Sequence, residues 1–151
     1  MKIVVVLDNI RSMNNIGSIF RTCDAIGNTS IYLCGICATP PNKQIHKTAL
    51  GATESVNWTY FASTKQALLQ LKNENYQIVA IEQNNDSMSL ENFKFKQEKI
   101  AIIFGNEIKG INDEELKIAH QIVEIQQHGS KKSMNVSVVA GIVLWTIKNI
   151  K

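Results

Sequence analysis

The chain has 151 residues, of which 44% are hydrophobic and 19% charged, and it carries a net charge of +3 with 14 lysines and two arginines. We therefore expect residues 1–151 to form a single globular domain with a substantial core, and the modest positive charge permits a polyanionic partner without requiring one. Three cysteines are too few for a disulfide framework, and no apolar run has membrane-spanning length, which favours the cytoplasm and argues against a membrane protein.

The N-terminal part of the chain predicts a strand, a turn and a helix. Residues 3–7 are continuously apolar and β-branched, which is typical of an interior strand in a parallel sheet. The polar residues 8–15 predict a turn, after which apolar residues recur at helical spacing as far as Gly27, a natural helix stop. Gly17 and Arg21 fall on the opposite, polar face of this helix, which predicts that nothing bulky covers the guanidinium.

The middle of the chain predicts short elements around a pair of cysteines. Cys34 and Cys37 have C-x-x-C spacing, but the second pair of ligands that zinc requires is not present. Because both cysteines end a strand pattern rather than begin a helix, we interpret them as structural thiols and expect no metal site. Residues 93–96 alternate aromatic residues with lysines, which fits either a base-stacking platform or a half-buried edge. The predicted elements of this region are strands at 30–36, 56–61 and 77–82, a helix at 64–73 and a polar loop at 84–89.

A strand followed by a glycine-rich bend begins the C-terminal third. Residues 100–104 are all apolar, which is typical of a strand buried on both faces. The next bend holds Gly105, Glu107 and Gly110, and its glycines can adopt positive φ and bring bare amides close to a ligand. In open α/β sheets, ligands bind at the carboxyl ends of strands. The bend is therefore predicted to bind a ligand, with an ordinary strand-to-helix turn as the alternative.

The last helix is apolar nearly all round. After a helix beginning near Asn112 or Asp113 and a last strand at 121–125, we predict that Ser133 caps a final helix reaching about Asn149. A helix of this composition is buried on more than one side, which in so small a chain predicts a second subunit. The alternation of strands and helices predicts an α/β fold with a mainly parallel sheet and helices on both faces.

Three separated segments resemble the motifs of one protein family. Residues 15–22 (NIGSIFRT) are similar to N-x-G-x-x-x-R, residues 103–110 (IFGNEIKG) to an apolar strand followed by G-N-E-x-x-G, and residues 133–137 (SMNVS) to S-L-N-V-S. The family is the SpoU branch of the SPOUT superfamily, whose members are S-adenosylmethionine-dependent RNA 2′-O-ribose methyltransferases. The resemblance spans nearly the whole chain, with Met134 in place of a leucine and Gln126 in place of the usual proline.

The resemblance implies a fold and an activity that periodicity does not reveal. It implies a deep trefoil knot from about residue 100 onward, S-adenosylmethionine as cofactor, RNA as partner and an obligate homodimer. The implied reaction is methyl transfer to a ribose 2′-hydroxyl, with the D-loop guanosine of tRNA favoured. Ribosomal RNA, the tRNA wobble nucleotide and a non-catalytic RNA-binding role are the alternatives. We expect no separate RNA-binding domain of the kind that some relatives carry.

The resemblance also implies the site residues, of which Arg21 is the central one. We expect Arg21 to hold the phosphate beside the target and to polarise the 2′-hydroxyl, because a guanidinium is almost never deprotonated in proteins. A surface ion pair with Asp24 is the alternative for this side chain. Asn15 is expected to anchor either its own segment or the target nucleotide, and Glu107 to orient Arg21 or another polar group, in its own or the partner subunit. The implied catalytic residues are Arg21, Asn15, Glu107, Ser133 and Asn135, of which the last two have simple helix capping as their alternative role. The implied cofactor-binding residues are Phe104, Gly105, Asn106, Glu107, Ile125, Gln126, Met134 and Asn135.

A nucleotide-binding oxidoreductase of the Rossmann or flavodoxin type is the main rival interpretation. Its G-x-G-x-x-G fingerprint does not follow the first predicted strand, and the phosphate-binding loop G-x-x-x-x-G-K-[ST] does not occur in the sequence. The sequence therefore favours the methyltransferase.

Overall fold

Seven parallel strands form the centre of the protein. The computed structural model describes residues 1–94 and 96–149. The strands are β1 (Lys2–Asp8), β2 (Thr29–Cys34), β3 (Asn57–Phe61), β4 (Gln77–Ile81), β5 (Met88–Ser89), β6 (Lys99–Phe104) and β7 (Gln121–Glu124). Their order across the sheet is β3-β2-β1-β6-β4-β7-β5, and each neighbouring pair is parallel. The predicted α/β fold with a mainly parallel sheet is confirmed.

Helices cover both faces of this sheet. In the described part of the chain they are α1 (Met13–Ile26), α2 (Lys43–Ala49), α3 (Ala52–Ser55), α4 (Thr64–Asn73), α5 (Asp113–Ile118) and α6 (Val136–Asn149), with a 3₁₀ turn at Leu90–Asn92. Apolar side chains of α1, α2 and α6 share one core with the sheet, and those of α4 and α5 share the other. Side chains of β1 alternate between the two cores, with Ile3, Val5 and Leu7 on one side and Val4 and Val6 on the other.

The final helix begins later than predicted. It starts at Val136, and Asn135 rather than Ser133 caps it, because the Asn135 Oδ1 accepts the backbone N–H of Ser137 at 2.9 Å. The prediction that Ser133 caps this helix is therefore wrong. The polar loop predicted at 84–89 also contains β5, whose two residues pair with β7.

One of the two apolar faces of α6 is covered and the other is open. The covered face packs on the sheet and on α1 through buried side chains of Ala140, Val143, Leu144 and Ile147. The open face carries Val138, Ile142 and Trp145, whose exposed fractions are 52%, 39% and 66%. At 100° per residue these three side chains lie on one side of the helix. The same side carries Gly141, where an added Cβ would have no atom within 4 Å.

Gly17 lies where α1 and α2 approach each other most closely. It is buried, and a Cβ at this position would collide with the Ile45 carbonyl oxygen and the Thr48 hydroxyl, and would lie 3.0 Å from the Ala49 nitrogen. Gly17 itself is therefore covered by α2, whereas Arg21 is exposed, in agreement with the prediction that nothing bulky covers its guanidinium. This position requires glycine because the backbone of another helix occupies the space of its side chain.

All three cysteines are buried free thiols. Desolvation by burial raises the pKa of Cys34 to about 12, so this thiol stays protonated and unreactive at neutral pH. These properties agree with the predicted structural role of the C-x-x-C pair.

Two further expectations concern surfaces. In the predicted aromatic platform at 93–96, Phe93 is buried in the core, and Phe95 lies outside the described residues. Within residues 1–94 and 96–149, no helix is both long and apolar enough to cross a membrane.

Candidate functional site

A cavity of about 510 Å³ opens at the carboxyl ends of three neighbouring strands. Its walls come from the segments that follow β4, β6 and β7 and from the residues that lead into α6, with Asn15 contributed by α1. The carboxyl edge of a parallel sheet is where chains leave the sheet in irregular conformations, so polar backbone groups and side chains converge there. The predicted ligand-binding bend after β6 forms one wall of this cavity.

Hydrogen bonds fix the bend after β6 in one conformation. The Asn106 side-chain oxygen accepts the backbone N–H groups of Ile108 and Lys109, each at 2.9 Å. Its side-chain nitrogen donates to the carbonyl oxygen of Asn9 at 2.6 Å, which joins the bend to the end of β1. The Gly110 N–H closes the bend by donating to the Asn106 carbonyl oxygen at 2.9 Å. Asn106 therefore acts as the internal support of the bend.

The two glycines of the bend are needed for different reasons. Gly110 has a φ of +67°, which side chains disfavour. Gly105 is not in the left-handed region, but a Cβ there would lie 2.7 Å from the Gly110 carbonyl carbon and 2.7 Å from the Ile111 side chain. The prediction of positive φ therefore holds for Gly110 and is wrong for Gly105, where close packing of the bend against itself excludes a side chain.

Glu107 connects the bend to the two residues that precede α1. Its carboxylate accepts the backbone N–H of Arg11 at 3.0 Å and that of Ser12 at 3.1 Å. Desolvation opposes ionisation of this carboxyl, but the amide hydrogen bonds and the Asn15 side chain together hold its pKa below the ordinary value. Within its own chain, Glu107 therefore orients the turn before Asn15. Of the two partners that the sequence analysis left open for Glu107, the structure shows a polar group other than Arg21.

Glu82 supports the other end of the bend, and the sequence analysis missed it. Its carboxylate accepts the Ile111 N–H at 3.0 Å and the Gln83 N–H at 3.0 Å, and it occupies the space that a side chain at Gly110 would fill. Glu82 is the first polar residue after β4, which lies directly beside β6 in the sheet. The rule that ligands bind at the carboxyl ends of strands, applied to β4 as well as β6, would have identified it.

Most residues implied as cofactor-binding line the cavity. They are Phe104, Gly105, Asn106, Glu107, Ile125, Met134 and Asn135, and Asn15 and Ser133 lie there too. Gln126 is the exception, because it is exposed and Gln127 lines the cavity in its place. In extended chain, alternate side chains point in opposite directions, so Ile125 and Gln127 face one side and Gln126 the other. The expectation for Gln126 concerns backbone groups near Ile125 and Gln126, and it stays a prediction.

The side-chain oxygen of Asn135 accepts hydrogen bonds within the chain, whereas its side-chain nitrogen is available to a ligand. Its Oδ1 accepts both the N–H and the hydroxyl of Ser137, at 2.9 and 2.6 Å. The Nδ2 donor makes no hydrogen bond to any residue that the structure describes. Asn135 can therefore cap α6 and still donate a hydrogen bond into the cavity.

Arg21 does not line this cavity. It lies six residues after Asn15, which places it about 9 Å further along the axis of α1. There it borders a separate groove between α1 and α2. The alternative pairing with Asp24 is wrong, because Asp24 accepts a hydrogen bond from the Ser55 hydroxyl and forms no ion pair with Arg21.

The cavity combines apolar walls with an excess of carboxylates. Glu82, Glu107 and Glu124 line it, and Lys132 is the basic residue among the described residues that do so. The apolar part comes from β4, β6, α6 and the segments between the elements, and it includes Ile81, Phe104, Ile108, Ile125, Met134, Val136 and Val139. Such a cavity suits a ligand with a flat apolar part, several polar groups and a positive charge.

A family model and individual relatives match the chain. The model described as the SpoU rRNA Methylase family matches residues 2–145. A tRNA (guanosine(18)-2′-O)-methyltransferase from Aquifex aeolicus is 31% identical over 147 residues, which cover 95% of this chain and 67% of that protein. The enzyme of the same name from Borreliella burgdorferi is 31% identical over 144 residues, which cover 94% of this chain and 64% of that protein.

Solved structures show the same fold. An AdoMet-bound rRNA methyltransferase from Sinorhizobium meliloti superposes with a TM-score of 0.90 at 26% identity, and the match covers 96% of this chain and 55% of that chain. The chain thus spans between about half and two thirds of the length of these relatives.

Proposed function

Because the chain belongs to the SpoU rRNA methylase family, we propose that it transfers a methyl group from S-adenosylmethionine to a ribose 2′-hydroxyl of RNA. The observation that carries the proposal is the family match over residues 2–145, together with a cavity lined by all three segments that resemble the family's motifs. We favour the D-loop guanosine of tRNA as the target, since the relatives from A. aeolicus and B. burgdorferi are named for methylation of a tRNA guanosine.

The residues of the cavity fit S-adenosylmethionine. This cofactor carries a sulfonium cation and a flat adenine, and the cavity offers three carboxylates, apolar walls and the backbone groups of a glycine-rich bend. When bound, the cofactor supplies an electrophilic methyl group. We expect it to be held by backbone and side-chain groups of Phe104, Gly105, Asn106, Glu107, Ile125, Gln126, Met134 and Asn135, and Gln127 lines the same cavity.

The chain's own residues would bind and orient the nucleophile. Arg21 is expected to grip the phosphate next to the target ribose and to donate to the 2′-hydroxyl region, stabilising the negative charge that develops on oxygen. Asn15 would hold the target nucleotide at the rim of the cavity, since Glu107 fixes the turn from which it projects. Ser133 and the free Nδ2 of Asn135 would donate hydrogen bonds beside the reacting groups.

We also propose that two copies of the chain form the working site. The open face of α6 exposes three large apolar side chains in one patch, and monomeric proteins seldom leave such a patch uncovered on a helix. Gly141 lies in the same face with free space around it, which would let a second backbone approach closely. A homodimer also accounts for Arg21, because a residue outside the cavity of its own chain could serve the cavity of a partner.

The oligomeric state can be tested directly. We expect the wild-type protein to elute as a dimer in size-exclusion chromatography with light scattering, and Trp145→Glu to elute as a monomer. Leu69→Glu is the matched control, because Leu69 is also an exposed apolar residue, at 43%, but lies on α4. A wild-type monomer, or equal effects of both substitutions, would contradict the proposed dimer.

The trefoil knot and the cytoplasmic location belong to the same proposal. The superposition with an enzyme of the family at a TM-score of 0.90 supports a knot from about residue 100 onward, and the three reduced thiols support a reducing compartment. An experimental structure with continuous density through residues 100–149 would decide the first point, and an untied chain would overturn it.

Mapping 2′-O-methyl groups tests the function itself. Cellular RNA from strains with and without the protein should differ at one tRNA D-loop guanosine, and purified protein with S-adenosylmethionine should restore the missing group. A change confined to ribosomal RNA or to the wobble nucleotide would support 2′-O-methyl transfer but contradict the D-loop guanosine as the target. A non-catalytic RNA binder would produce no change, and calorimetry with S-adenosylmethionine would show no heat.

A further inference from the structure

A second concave surface lies between α1 and α2. It has a volume of about 530 Å³, similar to that of the cofactor cavity. The α1 wall consists of four residues at the spacing i, i+3, i+4 and i+7, which is one face of a helix. They are Ser18, Arg21, Thr22 and Ala25, and the opposite wall is formed by Lys47, Thr48 and Leu50.

The polar groups of this groove are mostly unused hydrogen-bond donors. Arg21 and Lys47 form no ion pair, and the hydroxyls of Ser18 and Thr22 make no hydrogen bond, within the part of the chain that the structure describes. Thr48 is already engaged, since its hydroxyl donates to the Asn14 carbonyl oxygen at 2.8 Å. Two cations and two free hydroxyls therefore face the same space.

Acidic side chains are missing from the described lining of this groove. The acidic residue on this helix, Asp24, is turned to the Ser55 hydroxyl and does not contribute to the lining. The groove thus differs from most mixed-charge protein surfaces, where a carboxylate would compete with an anionic ligand for the arginine and the lysine.

A surface of this composition matches a phosphodiester. The two non-bridging oxygens of a phosphodiester accept hydrogen bonds, donate none and share one negative charge, so a site with two cations and two hydroxyls that can donate complements them. Resting on the methyltransferase function proposed above, we propose that the α1–α2 groove binds the backbone of the substrate RNA, with Lys47, Ser18 and Thr22 extending the contact made by Arg21. Lys47 is then an RNA-binding residue on α2, outside all three motif segments.

Salt-dependent RNA binding tests this proposal. The affinity of wild-type protein, Lys47→Ala and Lys72→Ala for an unmodified tRNA is measured by fluorescence anisotropy at several salt concentrations. Lys72 is the matched control because it is an exposed lysine on α4, on the opposite side of the sheet. We expect Lys47→Ala to bind roughly tenfold more weakly at low salt and to lose about 0.7 to 0.9 from the slope of log K against log salt, the value of one phosphate contact.

Two further measurements separate the possible outcomes. Calorimetry with S-adenosylmethionine should give the same affinity for Lys47→Ala as for wild type, which shows that the variant is folded, and Lys47→Arg should restore the salt slope. If Lys47→Ala binds and methylates RNA with the same salt slope as wild type, the proposal that the groove binds RNA is wrong. The proposed methyltransferase function is then unaffected. If the wild-type protein neither binds nor methylates RNA, the proposed function is wrong, and the groove proposal that rests on it is overturned as well.

Discussion

The two concave regions of this molecule have similar volumes but opposite chemistry. The cavity at the carboxyl ends of β4, β6 and β7 contains three carboxylates and one lysine, and its main wall is held by hydrogen bonds from Asn106, Glu107 and Glu82. The groove between α1 and α2 contains an arginine and a lysine that the described residues leave unpaired. The wall of the first region is fixed by hydrogen bonds within the chain, whereas the second region presents solvent-exposed donors that the described residues leave available to a ligand.

This difference indicates that the two regions bind different partners. A preformed, net negative cavity suits a small cationic cofactor, and a groove with two cations and no carboxylate in its described lining suits a polyanion. Helix α1 belongs to both, because Asn15 lines the cavity and Arg21 lines the groove. Substitutions in one region should therefore affect cofactor affinity and those in the other should affect RNA, with only small effects across.

The largest effect is expected from Arg21→Ala. RNA methylation should fall by on the order of 10² to 10³, because the developing negative charge loses its cation, while the affinity for S-adenosylmethionine stays within a few-fold. Single-turnover methylation and calorimetry measure the two quantities. Arg11→Ala, which removes the other arginine of the chain, is the control and should retain most of the activity. Near-normal turnover in Arg21→Ala would rule out the role assigned to Arg21.

Arg21→Ala chains can also be combined with Asn135→Ala chains, whose cavity is defective, to test which subunit's cavity Arg21 serves. We expect mixed dimers of Arg21→Ala chains and Asn135→Ala chains to recover part of the activity that each variant lacks alone. In such a dimer one site would contain an intact cavity from one chain and an intact Arg21 from the other. No recovery in mixed dimers would mean that Arg21 serves the cavity of its own chain.

An intermediate effect is expected from Glu107→Ala. Loss of two charge-assisted hydrogen bonds should release the bend from α1 and weaken S-adenosylmethionine binding roughly tenfold without dissociating the dimer. Asn135→Ala should likewise weaken cofactor binding or activity. Calorimetry and light scattering provide the measurements. An unfolded or dissociated protein would instead indicate that these residues have only structural roles.

Glu107 also predicts how stability changes with pH. Its pKa in the folded protein lies below the ordinary value of 4.5, so the folded state binds this proton less readily than the unfolded state does. The stability that it contributes is complete above pH 4.5 and is lost as pH falls through the lower, folded-state pKa. Thermal unfolding between pH 3 and pH 6 should show a smaller decline for Glu107→Gln than for wild type, and equal declines would contradict this assignment.

The smallest effect is expected from Glu82→Gln. The amide retains one acceptor oxygen, so only part of the support given to Ile111 and Gln83 is lost, and S-adenosylmethionine affinity should fall roughly three- to tenfold. RNA affinity should be unchanged if the cavity and the groove act separately. Glu91→Gln, on the exposed 3₁₀ turn, is the control for loss of charge. An equal loss in both variants would indicate a general electrostatic effect.

Much of the fold followed from local patterns. The apolar runs at 3–7 and 100–104 predicted interior parallel strands because strands between two helical layers are apolar on both faces. The helix predicted at 64–73 has the bounds Thr64–Asn73 in the structure, since a serine cap and a regular apolar stripe define it. Strand β5 was missed because two residues are too few to show a periodicity.

Less of the site could be predicted, because it depends on contacts between distant segments. The three motif segments suggested which residues would converge, but not that Glu107 would bind the amides before α1 or that Glu82 would support Ile111. That Gln127 rather than Gln126 would turn its side chain to the cavity was also beyond prediction, because the direction of a side chain in an extended segment depends on register. Nothing in the spacing of residues 43–51 indicated that Lys47 would face Arg21 across a groove.

The absence of one methyl group at Gly17 has a consequence beyond local packing. The backbone of α2 occupies the place of that missing group, so the spacing between the two helices, and with it the span from Arg21 to Lys47, is determined at a buried position that no ligand touches. Even alanine at this position would spread the helices apart. If the groove binds RNA as proposed, such a variant would bind RNA more weakly, although every side chain of the groove had kept its identity.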